Sequence, residues 1–283
     1  MLFRSESIIE LGSWLKTPPG RYLLAWEQDR LDHAVTDAFG FHALQLGMPE
    51  LAGLRANRMP HRWVASDSFV IPEAVPLPPP TDEQISTVPA DEPLAVYTEF
   101  DALPFPEHSI DLVVLPHALE LARDPHQTLR EVERVLVPEG RVVIAGFNPA
   151  SLWGLRQRCG HMVQGLGFGR GHSLYLPRAG DFIGYWRLRD WLRLLNFEVE
   201  VGRFGCWRPP FHSQRWLDRF AWMDPVGDRW WPVLGGVYFI VAVKRVRGMR
   251  LVGLAKTERA KAKPARAVVT SRAGTRRVTE LES

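Results

Sequence analysis

The stretch FDALPFPEHSIDLVVLPHALE, Phe100 to Glu120, decides the fold of this chain. At its centre, Ile110 to Leu115 is a continuous run of mostly branched apolar residues, which is typical of a parallel strand buried on both faces. Asp124 and Pro125 follow and predict the start of a helix, because Asp124 can accept a hydrogen bond from the Gln127 backbone and proline suits the first helical position. The sequence therefore predicts a buried strand followed by a capped helix.

A second strand completes this unit. Leu129, Val132 and Leu136 give the helix an apolar stripe, and the turn Pro138-Glu139-Gly140 is expected to stop it. Arg141 to Ala145 (RVVIA) then predicts the next strand, so strand, helix and strand form one right-handed βαβ unit.

Further elements are predicted on both sides of this unit. Thr17 and Pro18 are expected to begin a helix that runs to Gly40, and Leu188 to Leu195 predicts another. The remaining strands are Phe41 to Gly47, Arg62 to Ser66, Leu94 to Phe100, Phe197 to Val201 and Val237 to Val243. Strands that alternate with helices predict a doubly wound α/β sheet.

Length and composition exclude several classes of protein. With 283 residues and 46% hydrophobic content, the chain can bury one large core. It has no run of about 18 apolar residues and its first twenty lack a secretory signal, so we expect a cytoplasmic protein without a membrane span. Its two cysteines, Cys159 and Cys206, show no ligand spacing, so neither a disulfide framework nor a structural zinc site is indicated and no metal is expected.

The net charge of +3 hides an asymmetry between body and tail. Residues 244–283 carry twelve Lys and Arg against three Glu, which leaves −6 for residues 1–243. The pI near 9.0 therefore belongs to the tail and does not make the body a nucleic-acid binder. We expect one domain over residues 1–245 and a basic, disordered tail over 246–283.

Two segments inside the domain stand out. Residues 71–93 contain seven prolines, and we interpret them as an exposed connector in preference to a polyproline docking segment. Residues 207–231 contain five tryptophans and two phenylalanines. This aromatic segment fits either a small core under a long connection or an exposed role as pocket roof, dimer surface or membrane contact.

The motifs from Phe100 to Pro149 resemble the class I S-adenosylmethionine-dependent methyltransferases of the type 11 family. In that family, LPF, a turn, SFDLVV, a histidine, LE, a DP-capped helix and a VLxPGG turn follow one another; here they read LPFPEHSIDLVVLPHALE and DPHQTLREVERVLVPEGRVVIAGFNP. The sequence GFNP at Gly146 to Pro149 resembles a proteobacterial subgroup of the family. The resemblance implies a Rossmann-like, mostly parallel seven-stranded sheet and S-adenosyl-L-methionine as cofactor.

Ligands of such sheets bind beyond the carboxyl ends of the strands. The resemblance implies that Asp101, Ala102 and Leu103 lie beside the adenine, although Asp101 could instead cap a turn. Asp67 follows Gly47 by twenty residues, an interval at which an acid can bind ribose hydroxyls; a plain turn residue is equally compatible.

The loop after the first strand departs from the family. The usual signature is an acidic residue, a spacer and Gly-x-Gly-x-Gly, but here Gln45-Leu46-Gly47-Met48-Pro49-Glu50-Leu51 keeps only the first glycine. Gln45 can still hydrogen-bond the methionine half of the cofactor through its amide, without charge. Gln45 and Gly47 are therefore the cofactor-binding candidates in this loop.

His117 is the candidate catalytic base, since it ends the fourth strand, facing the expected position of the methyl group, and an unperturbed pKa near 6.5 suits proton removal. The alternative is a histidine that hydrogen-bonds the backbone or packs beside the cofactor. His117 with Glu120 alone would not close a metal shell.

The leading hypothesis is methyl transfer to an unidentified small-molecule acceptor. A binding or regulatory module that has lost catalysis is one alternative, because the glycine loop is eroded. An RNA methyltransferase recruited through the basic tail is another, although the acidic body disfavours a nucleic-acid partner.

Overall fold

The computed structural model describes residues 11–66, 93–165, 174–177 and 182–245. The strands are β1 (His42–Leu46), β2 (His61–Ser66), β3 (Leu94–Tyr97), β4 (Ile110–Pro116), β5 (Leu136–Phe147), β6 (Phe197–Gly205) and β7 (Val237–Lys244). The helices are α1 (Pro18–Thr36), α2 (Ala118–Leu121), α3 (Pro125–Val135), α4 (Leu152–Gly165), α5 (Tyr185–Leu194), α6 (Gln214–Arg219) and α7 (Met223–Trp230). A 3₁₀ turn over Pro232–Leu234 precedes β7.

All seven strands form one sheet in the order β3-β2-β1-β4-β5-β7-β6. β7 runs antiparallel to both of its neighbours, and the other neighbouring strands are parallel. The predicted doubly wound, mostly parallel seven-stranded sheet of the class I methyltransferase fold is confirmed.

The central strands are buried on both faces, as the apolar run of β4 predicts. Leu112 and Val114 belong to one core cluster, whereas Val113 and Leu115 belong to another. Alternate residues of a strand point to opposite faces, so the two clusters lie on the two sides of the sheet. Both sides must therefore be covered by other elements, which gives the layered architecture.

Helix α1 begins as the sequence predicts but ends earlier. The Thr17 hydroxyl oxygen accepts from the Gly20 backbone N–H at 3.4 Å, and Pro18 occupies the first position. The helix ends at Thr36 rather than at Gly40. Residues spaced by four lie on its fully buried stripe, which comprises Leu23, Glu27, Leu31 and Val35.

Helix α3 and strand β5 meet without the predicted turn between them. The Asp124 carboxylate accepts from the His126 and Gln127 backbone N–H groups at 2.9 and 3.1 Å, so the predicted cap is confirmed. The helix ends at Val135 and β5 begins at once, with its register against β4 shifting between residues 110 and 112. The Pro138-Glu139-Gly140 segment lies within β5, where Glu139 has a φ of 65°.

Other predicted boundaries differ by a few residues. β3 ends at Tyr97, so Phe100 lies in a turn, and β6 continues to Gly205. The connection between β1 and β2, residues 47–60, contains turns and no helix. Helices α2, α4, α6 and α7 were not predicted from the sequence, and α2, α6 and α7 are each eight residues or shorter.

The aromatic segment is divided between the core and the surface. Trp207 is buried, whereas Trp216, Trp222 and Trp230 are each about half exposed or more. Most of the proline-rich segment 71–93 and all of the basic tail 246–283 lie outside the described residues. Within the described part of the chain, no helix has the length and apolarity needed to span a membrane.

Candidate active site at the carboxyl edge of the sheet

The carboxyl edge of the sheet carries unusual backbone conformations. Met48, His117 and Cys206 follow β1, β4 and β6, and all three are non-glycine residues with positive φ, at 47°, 52° and 61°. This left-handed region costs free energy for residues with a side chain and is found more often at functional sites. The edge is therefore the place to examine for a site.

Gln45 organises the loop that follows β1. Its Nε2 lies within hydrogen-bond distance of the carbonyls of Gly47, Met48 and Leu51, at 3.1, 2.9 and 2.8 Å. Its Oε1 accepts from the Gly53 backbone N–H at 3.0 Å. Because both ends of the buried amide are occupied, the Gln45 side chain supports the loop in this structure and does not point a free group toward a ligand.

Gly47 brings the ends of β1, β3 and β4 together. Its φ is 76°, and a Cβ at this position would lie 3.5 Å from the Phe100 ring and 3.7 Å from Ala118 Cβ. These are ordinary contact distances, so the positive φ is what favours glycine here.

The three predicted adenine-binding residues differ in which of their polar groups already have hydrogen-bond partners. The Ala102 N–H donates to Glu99 O at 3.2 Å, and the Leu103 N–H donates to Glu131 Oε2 at 3.1 Å. The half-buried Asp101 carboxylate makes no hydrogen bond to any residue that the structure describes. Of the three, only Asp101 offers a free polar side chain; Asp67 lies outside the described residues.

His117 lies between two carboxylates. Its Nδ1 is 2.8 Å from Glu120 Oε2, and its Nε2 is 2.8 Å from Glu27 Oε1. The side chains of His117 and Glu27 have no solvent exposure, and that of Glu120 has 1%. We call these three residues the Glu-His-Glu cluster.

The outer oxygens of the two carboxylates differ. Glu120 Oε1 accepts from the Phe147 backbone N–H at 2.6 Å. Glu27 Oε2 is buried and has no hydrogen-bond partner in the described part of the chain. The cluster therefore presents one unpaired atom, on the residue contributed by α1.

Electrostatics in the cluster favour a charged imidazole. Burial alone would lower the pKa of His117, but the nearby Glu27 and Glu120 carboxylates outweigh it and raise the pKa to about 10. Burial raises the pKa of Glu120, and the contact with His117 only partly offsets this. With both ring nitrogens bonded to carboxylates, His117 has no free lone pair with which to accept a proton.

Aromatic side chains surround one side of the cluster. The Phe147 ring centroid lies 4.3 Å from that of His117. Phe147 in turn contacts Trp14 and Phe182, with ring centroids 5.9 and 5.5 Å apart. Trp14 also packs edge-to-face on Trp153. An aromatic wall thus borders the imidazole of the cluster.

A second, partly buried network lies beside Glu27. The Tyr22 hydroxyl donates to Asp224 Oδ1, and the Arg208 guanidinium donates to Asp224 Oδ2 at 2.9 Å. Cys206 lies in the same region, where burial raises the pKa of its thiol and Glu27 and Asp224 raise it further. The aromatic segment is anchored to α1 by these polar contacts, and Asp224 is already charge-paired with Arg208.

Sequence reasoning found His117 but missed its main partner. Glu27 lies ninety residues before His117, so no local motif joins them. A signal was nevertheless present, because Glu27 occupies the place of an apolar residue between Leu23 and Leu31 on the buried stripe of α1. Asn148 of the GFNP motif was also missed as an anchor; its Nδ2 donates to the carbonyls of Val233 and Gly235.

A search of the described residues finds no group of three or more His, Cys, Asp or Glu side chains that could hold a metal ion.

Comparison with known proteins identifies the family. The family described as a methyltransferase domain matches residues 82–144. A protein of Escherichia coli, given as "Uncharacterized protein YafS", is 30% identical over 241 residues, covering 85% of this chain and 83% of its own length. The chain belongs to the same family as this protein, it contains a match to the methyltransferase domain, and its sheet has the class I methyltransferase fold.

Other relatives match only in part or only in fold. The malonyl-[acyl-carrier protein] O-methyltransferase of Halorhodospira halophila is 44% identical over 64 residues, 23% of this chain and 22% of that protein. A putative methyltransferase of Haloferax volcanii, solved in complex with the Trm112 methyltransferase activator, is 16% identical with a TM-score of 0.52. That match covers 84% of this chain and 97% of the other, and it supports the fold alone.

Proposed function

We propose that this protein transfers a methyl group from S-adenosyl-L-methionine to a small-molecule acceptor. The observation that carries the proposal is the Asp101 carboxylate, which follows β3 on the carboxyl edge near the Gly47 turn and makes no hydrogen bond to any residue that the structure describes. A carboxylate there can accept from the exocyclic amine of an adenine. The methyltransferases among the relatives and the class I fold support the same activity. A cytoplasmic location is also part of the proposal.

The residues at the edge fit the cofactor, with roles that differ from the sequence expectation. Asp101 and Gly47 would hold it directly, and Asp67 remains a predicted ribose ligand. Ala102 and Leu103 would shape the adenine site without donating, because their N–H groups are occupied. Gln45 would hold the loop and not the methionine half. S-adenosylmethionine supplies an electrophilic methyl group on a sulfonium.

His117 changes role in this proposal. It was expected to be the base, but a base must have a free lone pair. Both of its nitrogens contact carboxylates, so we assign it a positioning role, in which its imidazolium orients Glu27 and Glu120. Positioning of the reacting groups accounts for much of the rate in an in-line displacement.

Calorimetric titration with S-adenosylhomocysteine tests the proposal. The full chain should bind it, and Asp101→Asn should weaken binding by about tenfold, since a hydrogen bond to a charged group contributes about 1.5–3 kcal/mol. Asp190→Asn on the outer part of α5 is the control and should bind like the original protein. Absence of binding heat at millimolar ligand would contradict the proposal.

A binding or regulatory module without catalysis is the second candidate. The observation that favours it is the saturated Gln45 amide, because the loop that usually wraps the methionine half is held closed by four internal hydrogen bonds. Such a module would bind S-adenosylhomocysteine weakly or not at all, so the same titration separates the two candidates.

A further inference from the structure

The Glu-His-Glu cluster carries a net charge of −1 when its protons are the two that lie in its N···O contacts. Each of its two N···O contacts of 2.8 Å contains one hydrogen bond and hence one proton. An imidazolate and two carboxylates sum to −3, and two protons bring the sum to −1. The result is the same for an imidazolium between two carboxylates and for a neutral imidazole beside one carboxylic acid.

On the side of Glu27, no residue that the structure describes compensates this charge. Glu27 Oε2 is fully buried and has no hydrogen-bond partner among the described residues. The cationic side chain nearest to it in the second network, Arg208, is paired with Asp224. Burial of an unpaired charged oxygen is costly, so native proteins keep such atoms where a ligand or another group satisfies them.

The chemistry that satisfies this oxygen is a cation with N–H groups. An ammonium donates hydrogen bonds to a carboxylate, and the charge of the pair makes these bonds stronger than neutral ones. The aromatic wall of Phe147, Trp14 and Phe182 beside the cluster suits a cation as well, because ring faces attract positive charge. A carboxylate ligand would meet a like charge, and an alcohol would leave the net charge uncompensated.

We propose that Glu27 Oε2 binds the methyl acceptor through an alkylammonium group, so that the acceptor is a primary or secondary amine. This inference rests on the proposed function, because the bound amine is a methyl acceptor only if the protein transfers methyl groups. His117 follows β4 and Phe147 ends β5, so the Glu-His-Glu cluster lies beside the strand end where the methyl group is expected. This position favours the methyl acceptor over the cofactor as the ligand of Glu27 Oε2.

Glu27 also prepares the amine for reaction. An N–H bond of the ammonium breaks, its electron pair stays on nitrogen, and the proton forms an O–H bond with Glu27 Oε2. The neutral amine then has the lone pair that a nucleophile needs. Glu27 is the catalytic residue in this scheme, whereas His117 and Glu120 are positioning residues that hold its other oxygen.

Thermal melting of the full chain with three matched probes tests the inference. Benzylamine, benzyl alcohol and benzoate share one ring and differ in charge. Benzylamine at 100 times its dissociation constant should raise the melting temperature by about 5 °C, and the other two should leave it nearly unchanged. Equal shifts for the three probes, or no shift with any of them, would overturn the proposal without the need for a variant.

Two variants locate the site. Glu27→Gln keeps the shape of the side chain and should weaken benzylamine binding at least tenfold, whereas Glu198→Gln, on the exposed face of β6, should bind like the original protein. Unaltered benzylamine binding in Glu27→Gln would overturn the assignment to Glu27.

Saturating S-adenosylhomocysteine separates the acceptor from the ammonium of the methionine half. Benzylamine should bind equally well in its presence, and competition between the two would overturn the assignment to the acceptor. If S-adenosylhomocysteine shows no binding heat but the benzylamine shift persists, the proposed function fails while the ammonium site stands.

Discussion

At the scale of single residues, the Glu-His-Glu cluster makes His117 important for stability. His117→Leu removes both donors and leaves Glu27 and Glu120 buried without their partner. Removing one member of a buried ion pair typically costs about 3–5 kcal/mol, so the free energy of unfolding in urea should fall by this amount. His33→Leu changes an exposed histidine of α1 and should alter stability by about 0.5 kcal/mol at most. A loss below about 1 kcal/mol for His117→Leu would contradict the description of the cluster.

His117 should also make the free energy of unfolding depend on pH. The folded state raises the pKa of His117 from 6.5 to about 10, so its contribution is fully present below pH 6.5 and is lost as the pH rises through about 10. Glu27→Gln removes one of the carboxylates that raise this pKa, so the variant should lose the contribution at lower pH. Urea unfolding at intervals between pH 6.5 and 10 measures the difference. Equal pH dependence in the original protein and Glu27→Gln would show that Glu27 does not raise this pKa.

At the scale of elements, the loop after β1 depends on one amide. Gln45→Glu restores the acid typical of the family, but a carboxylate cannot donate to the carbonyls of Gly47, Met48 and Leu51. We expect a loss of about 3 kcal/mol or more in the free energy of unfolding and no gain in S-adenosylhomocysteine affinity. Gln127→Glu in the first turn of α3 is the matched control and should be nearly neutral. Tighter binding of S-adenosylhomocysteine by Gln45→Glu would show that the side chain at position 45 contacts the cofactor.

Strong local signals in the sequence predicted the elements of this fold well. The branched run of β4 and the Asp124 cap were sufficient for the central βαβ unit, because burial on both faces and helix capping act within a few residues. The start of β5 at Leu136 was not predictable in this way, since it depends on pairing with β4. The contact of Glu27 with His117 was missed for the same reason, because it joins α1 to the sheet across ninety residues.

At the scale of the whole molecule, the charge asymmetry predicts salt-dependent binding of nucleic acid by the tail. Residues 247–283 carry ten Lys and Arg against three Glu, whereas the body is acidic. Any RNA that the full chain retains at 50 mM salt should mostly be released at 200 mM, because such binding depends on counterion release. A version ending at Val246 keeps Lys244 and Arg245, which bond to Glu133 and Glu198, and should retain none. Equal retention of RNA by both versions would show that the tail does not bind RNA.

A crystal structure of the full chain with S-adenosylhomocysteine tests the central claim most directly. We expect adenosine at the carboxyl edge, with its exocyclic amine on Asp101, its sugar side near Gly47, and the Gln45 amide still bonded to its loop. The methyl position should face Glu27 across the end of β4. Crystals grown at saturating ligand with no ligand at this edge, or with the ligand elsewhere, would contradict the proposal that this protein uses S-adenosylmethionine.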